Sequence, residues 1–185
     1  MESVFVAGSI AIKQLPSNFV AKLESLLASK LGVFVGDANG VDTSVQRTLL
    51  ERNATSVMVY CTGSAPRNNL GDWPIKQIKS RAQPGTKAYF TAKDVAMAED
   101  ADIGLMLWDT KSTGTLSNVI ELAQRRKKSI VFINKRDLFW IVRDTASLRE
   151  LTGFMSAASR DAAEKKVGLS SRLDKLESEL SGFNF

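Results

Sequence analysis

Five short apolar runs, separated by segments of helical spacing, constrain this chain more than any other feature. They cover residues 4–8, 33–36, 56–61, 102–109 and 129–134. Each has the length of a buried strand. Between the first two, Phe19, Val20, Leu23, Leu26 and Leu27 recur at helical spacing after Pro16, and Gly32 closes the segment. A second helix is expected near 41–53, and a third carries Leu116, Ile120 and Ala123 on its inner face. Short buried strands that alternate with helices build a parallel sheet covered on both faces. The predicted fold is therefore α/β, a doubly wound parallel sheet of about five strands with C-terminal helices.

Two regions depart from this rhythm. Residues 62–89 carry Gly63, Pro66, Gly71, Pro74, Pro84 and Gly85 and form the longest irregular stretch. A short helix is expected at 74–81, and Thr91 has the look of an N-cap for the helix that follows. Coming after the third strand, this stretch would lie above the carboxyl ends of the sheet, where binding loops sit, and Arg67, Lys76, Lys79 and Arg81 offer cations there. The second departure begins past Asn134. Leu138-Phe139-Trp140-Ile141-Val142 suits an edge strand or a helix docked on the core. Residues 144–180 are polar and helix-prone, with Leu169, Leu173, Leu176 and Leu180 on one stripe. The stripe packs back on the domain or pairs with a second copy, and a homo-oligomer is the expectation. The domain division that follows is 1–143 for the α/β unit and 144–185 for a helical extension.

Composition excludes several chemistries. There is no histidine and Cys61 is the only cysteine, which removes intrachain disulfides, the usual zinc sites and any mechanism that needs an imidazole. No metal site is expected in the protein itself. Cys61 reads as a small apolar residue ending a strand. The net charge of +5 is compatible with nucleic acid, but much of the excess lies in Arg125-Arg126-Lys127-Lys128 at the expected end of a helix, where cations oppose the helix dipole. Runs such as Ile130-Val131-Phe132-Ile133 are too short to cross a bilayer, and Met1-Glu2-Ser3 leading directly into a strand is not a secretion signal. A cytoplasmic protein with no membrane partner is expected.

Three strand-to-helix junctions carry the candidate site. In Phe34-Val35-Gly36-Asp37-Ala38-Asn39-Gly40-Val41-Asp42, two glycines let the backbone turn tightly before a helix starts, and helix N-termini favour anions. Gly8 and Ser9 end the first strand. Ser112-Thr113-Gly114-Thr115 opens the helix after the fourth, with hydroxyls and backbone N–H groups presented together. In a doubly wound fold all three junctions fall on one edge of the sheet, the usual ligand crevice.

These residues also resemble a known group. Gly36-Asp37-Ala38-Asn39-Gly40-Val41-Asp42 is similar to the Gly-Gly-Ala-Arg-Gly-Ala/Ile-Asp motif of the SLOG superfamily of Rossmann-like domains, which includes the Lonely-Guy phosphoribohydrolases and the DNA-processing proteins of bacterial transformation. Val6-Ala7-Gly8-Ser9 looks like its first-strand signature. Asp102, Trp108 and Ser112-Thr113-Gly114-Thr115 look like its second conserved loop. The pattern covers roughly residues 3–134 and looks most like the stand-alone branch related to YspA and YpsA. The resemblance implies a nucleotide-derived or ribose-phosphate ligand held between the three loops. Ser9, Gly40, Gly114 and Thr115 would then face phosphate, and Asp42 would accept a ribose hydroxyl or hold its own loop in shape.

Two departures bear on chemistry. Hydrolases of this superfamily carry Gly-Thr-x-x-Glu, whereas here Gly114-Thr115-Leu116-Ser117 is followed by Asn118, an amide that cannot exchange a proton at neutral pH. Glu121 lies one turn further on. Asp37 stands where relatives have glycine, and three roles are open to it: repelling phosphate, holding it through a divalent metal, or acting as a base. The leading expectation is a binding protein, a sensor or sequestering module that requires no cofactor. The alternatives are an N-glycosidic hydrolase using Asp37 or Glu121, and a single-stranded nucleic-acid binder.

Overall fold

The protein, seen in a computed structural model that describes residues 1–181, runs β1 (Ser3–Gly8), α1 (Ser17–Ala28), β2 (Gly32–Gly36), α2 (Val41–Glu51), β3 (Val57–Thr62), β4 (Ile75–Ile78), α3 (Lys87–Asp100), β5 (Ile103–Trp108), α4 (Thr113–Gln124), β6 (Ser129–Ile133), β7 (Leu138–Val142), α5 (Thr145–Thr152), α6 (Ala157–Val167) and α7 (Leu169–Ser181). Seven strands form one sheet in the order β4-β3-β2-β1-β5-β6-β7. All neighbours are parallel except β6 and β7. From β1 the chain winds outward through β2, β3 and β4, then returns to β5 beside β1 and winds outward the other way. The winding reverses between β1 and β5, which opens a crevice at their carboxyl ends.

Alternate strand residues point to opposite faces, so each buried strand feeds two cores. On one face Val4, Val6, Val33, Val35 and Leu107 pack against Phe19 and Leu23 of α1 and Val45 and Leu49 of α2. On the other, Phe5, Ala7, Met106 and Trp108 meet Met97 of α3 and Leu116 and Ile120 of α4. Leu148, Leu151, Leu169, Leu173 and Leu176 of α5 and α7 join this second core. The leucine stripe thus packs back on its own chain at its first three positions, and those three leucines offer no surface to a second copy. The side chain of Leu180 and residues 182–185 lie outside the described residues.

Three local expectations are corrected. The sheet has seven strands rather than about five, because both edges carry one more. The expected helix at 74–81 is the edge strand β4: Ile75 and Ile78 have the i, i+3 spacing of a helix, but Pro74 gives its carbonyl to Val59 N–H at 2.9 Å and starts a parallel pairing. The N-cap of α3 is Thr86, whose Oγ1 accepts from Tyr89 N–H, while Thr91 lies inside the helix and donates back to the Lys87 carbonyl. Residues 138–142, left open between strand and helix, form the antiparallel edge strand. A short turn over Asn134–Arg136 and a left-handed Asp137 (φ 48°) reverse the chain into it. Cys61 is buried in β3 as expected. No helix among the described residues is long and apolar enough to cross a membrane.

Candidate functional site

A cavity of about 100 Å³ occupies the crevice at the carboxyl ends of β1 and β5. Ala7 and Gly8 form its floor, Asp42 of α2 one wall, Lys93 and Asp94 of α3 another, and the first turns of α4 a third. Gly8 has no room for a side chain. A Cβ there would overlap the Leu107 carbonyl and come within 2.9 Å of the Val41 methyls, so glycine is what lets α2 start this close to the sheet.

The β2–α2 loop is held by its own polar groups. Gly40 takes φ 84°, a backbone conformation that L side chains rarely adopt, and backs onto Ile10. Thr43 Oγ1 donates to the Ala38 carbonyl at 2.8 Å and Ser44 Oγ to the Lys13 carbonyl at 2.7 Å. Asp42 Oδ2 accepts the Ala38 N–H at 3.2 Å. Asp42 therefore shapes the loop and faces the cavity at once. Burial pushes its carboxyl up to about 6, against the pull of Lys93.

Beneath that loop lies a charge cluster that the sequence did not announce. Lys93 is 3 % exposed, and its Nζ stands 2.8 Å from Asp94 Oδ1, 3.5 Å from Asp42 Oδ2 and 3.9 Å from Asp37 Oδ1. Burial disfavours its charge, but the three carboxylates outweigh that and raise it above the ordinary lysine value. Only its place on the buried face of α3 marks it out, and that face was obscured by the misplaced helix start. Asp37 is 1 % exposed and turned away from the cavity. It accepts three hydrogen bonds from Arg67: Nη2 to Oδ1 at 2.6 Å, Nε to Oδ2 at 3.1 Å and the backbone N–H to Oδ2 at 3.0 Å. Burial alone would raise its carboxyl, but these bonds, with Lys93, hold it below the usual range.

Residues 63–74 complete this side. Arg67 lies 4.5 Å over the Phe90 ring, and Asn68 Nδ2 donates to the Asp37 carbonyl at 2.8 Å and to Asn39 Oδ1 at 3.2 Å. Gln46 of α2 donates to the Gly36 and Asn68 carbonyls and accepts Leu70 N–H. Trp73 Nε1 donates to the Ala54 carbonyl. The segment is fastened at both ends and in its middle.

Across the cavity, Asp109 Oδ1 accepts Lys111 and Ser112 N–H, Trp108 Nε1 donates to the Ser112 carbonyl, and Ser112 Oγ accepts Thr115 N–H and Thr115 Oγ1. Capping leaves the N–H groups of Thr113 and Gly114 without partners inside the helix. A Cβ on Gly114 would meet only Ser112 Oγ, at 3.9 Å, so open space adjoins it. Asn118 is 6 % exposed and lines the cavity, and its side-chain amide finds no hydrogen-bond partner among the described residues.

Of the residues singled out from sequence, Gly8, Asp42, Ser112, Gly114, Thr115 and Asn118 line the cavity. Ser9, fully buried, accepts Asp109 N–H and ties β1 to the β5 loop. Gly36 lies beneath Asp42 and Lys93, Asn39 bonds Asn68, and Gly40 backs Ile10. Glu121 lines a neighbouring groove of about 780 Å³ between α3, α4 and α7, which shares Asn118 with the cavity. Its carboxylate is engaged by Arg125 at 2.8 Å and Arg172 at 2.9 Å. The basic run after α4 lies at the opposite end of that helix, where Lys127 Nζ donates to the Ala98 and Glu99 carbonyls of α3. Among the described residues no group of three histidine, cysteine or acidic side chains is placed to hold a metal ion.

Fold and crevice together define a Rossmann-like α/β protein with a mostly parallel sheet. No family model matches the chain, and no curated protein matches it either.

Proposed function

We propose that this protein binds a nucleotide-derived or ribose-phosphate small molecule in the β1–β5 crevice, as a sensor or sequestering protein that needs no cofactor. One observation carries the reading: the end of β1, the starts of α2 and α4, and Lys93 and Asp94 of α3 enclose a cavity at the point where the winding of the sheet reverses. Gly8, Ala38, Asp42, Ser112, Gly114 and Thr115 of the segments that resemble SLOG domains line this cavity, which supports placing the chain in that superfamily, in the branch related to YspA and YpsA. A divalent cation would enter only with a phosphate ligand. Calorimetry against nucleotides, NAD, ADP-ribose and cyclic nucleotides is expected to find a ligand of micromolar affinity or better. Folded protein that binds none of them would overturn the reading.

A second reading, hydrolysis of an N-glycosidic bond in a nucleotide or NAD, is favoured by Asp42. A carboxyl raised to about 6 at the cavity wall can donate a proton near neutrality. Asp37 and Glu121 have their oxygens engaged by arginines instead. Release of free base from one nucleotide, abolished in Asp42→Asn, would establish this reading; release unchanged in that variant would remove Asp42 from it.

A further inference from the structure

We propose that the cavity itself receives a sugar ring by its vicinal hydroxyls, with Asp94 and Asn118 as the specificity residues, so that the ligand is a ribo compound and not its 2-deoxy counterpart. This rests on the binding reading above and specifies which part of the ligand goes where.

The polar atoms facing the cavity decide the matter. Lys93 is its only cation, and that charge is already met by Asp94, Asp42 and Asp37. A phosphate placed inside would confront the Asp42 and Asp94 carboxylates with no uncompensated cation to offset them, an arrangement that low dielectric makes costly. What the cavity offers is acceptors. Lys93 binds Asp94 through Oδ1 and fixes the carboxylate, and Oδ2 accepts no hydrogen bond from the described residues. Asp42 engages Ala38 N–H and Lys93 through Oδ2, leaving Oδ1. Opposite them stands the Asn118 amide, more than nine-tenths buried and without a partner. That amide is open to the cavity and free to bond whatever enters.

Adjacent hydroxyls fit this set, because each can donate to a carboxylate while accepting from an amide N–H. Dianionic phosphate and ammonium do not combine both properties; a base edge does, but it is the same in ribo and 2-deoxy compounds, so the comparison below separates it from a hydroxyl pair. The cavity, about 100 Å³, admits a few water-sized groups, enough for the hydroxyl-bearing edge of a sugar and well below the volume of a whole-nucleotide pocket. The phosphate is then left outside, at the free Thr113 and Gly114 N–H groups, where open space adjoins Gly114. The remainder of the ligand extends past Asn118 into the groove between α3, α4 and α7. Lys93 is a positioning residue in this arrangement; it acts by holding Asp94.

The test is calorimetry on the full chain with ribose 5-phosphate and AMP, each against its 2-deoxy counterpart. The expected result is binding of the ribo compounds with the deoxy compounds about tenfold weaker or more, since a site built for a hydroxyl is left unpaired without it. Asp94→Asn and Asn118→Leu should each weaken the ribo compounds by a similar factor and bring the ribo-to-deoxy ratio towards one. The Asp94 side chain is 24 % exposed, so that variant keeps the test usable if Asn118→Leu fails to fold. Deoxy compounds binding as tightly as ribo compounds would overturn the hydroxyl subsite and leave the binding reading standing. No binding of any of the four by folded protein would overturn this inference, and the wider nucleotide panel would then decide the binding reading separately.

Discussion

Arg67 holds the buried Asp37 through the Nε–Nη2 edge of its guanidinium and through its own backbone N–H. The pair joins the loop after β3 to the loop after β2, and it does so beside Lys93 without using the cavity. Asp37 is thereby a structural residue of the crevice in its present geometry, with its charge compensated on two sides.

Removing the arginine is expected to be expensive. In Arg67→Met the Asp37 carboxylate would lose both guanidinium bonds and keep the backbone N–H of residue 67, at 3.0 Å, and Lys93, at 3.9 Å. Asp37 is buried but the Arg67 side chain is 43 % exposed, so the cost is expected below that of a fully buried pair, about 1–2 kcal/mol. Urea unfolding should show that loss, and the double variant Asp37→Asn with Arg67→Met should lose less than the two single losses combined.

Two glycines at the site separate folding from binding. A Cβ at Gly36 would overlap Asp42 Oδ2 and Lys93 Nζ, so Gly36→Ala must displace the charge cluster. A loss of about 2 kcal/mol or more is expected in thermal or urea melts. Gly114→Ala adds a methyl where there is open space, inside a helix. It should melt at or slightly above the parent temperature, yet bind ligand at least tenfold more weakly if phosphate sits against those N–H groups.

Asp42 makes stability depend on pH in a defined window. Its carboxyl is near 6 in the folded protein against 3.8 as a free side chain, so the native state holds the proton more tightly. The resulting stabilisation is full below about pH 4 and is lost as pH rises through about 6, by about 3 kcal/mol. Asp37, Asp100, Asp102 and Asp144 are shifted downwards and act below that window. Urea midpoints measured from about pH 4 to 7 should fall with rising pH in the parent and run flatter in Asp42→Asn.

The last helix is expected to behave as part of the core. Leu176 is fully buried against the α4 side of the sheet. Leu176→Ala should cost about 2–5 kcal/mol in a single cooperative transition. A separate low-temperature transition with an unshifted main one would mean that α7 folds on its own.

What the sequence disclosed follows from how local each signal was. The buried strands β1, β2, β3, β5 and β6 were legible because a parallel strand covered on both faces must be apolar throughout, and 4–8 and 129–134 fit nothing else. Of the edge strands, β4 was missed and β7 was left open between a strand and a helix. Ile75-Lys76-Gln77-Ile78 is mostly exposed and carries no alternation, and Leu138–Val142 is covered on one side only. The loop residues Gly8, Asp42 and Gly114 were found through their place at strand ends. Lys93 and Asp94 were missed because their importance comes from α3 meeting α2 beneath a loop, a contact across about fifty residues that no spacing rule encodes.

Gln46, Asp37, Phe90 and Ala54 clamp residues 63–74 from four directions, so this stretch is a fixed jamb and not a swinging door. On the far side, the groove between α3, α4 and α7 adjoins the cavity through Asn118, and there Arg172 of α7 bonds Ser117 and Glu121. A ligand reaching past Asn118 would therefore meet a wall built partly by α7, so the C-terminal helix that completes the core would also border the bound molecule.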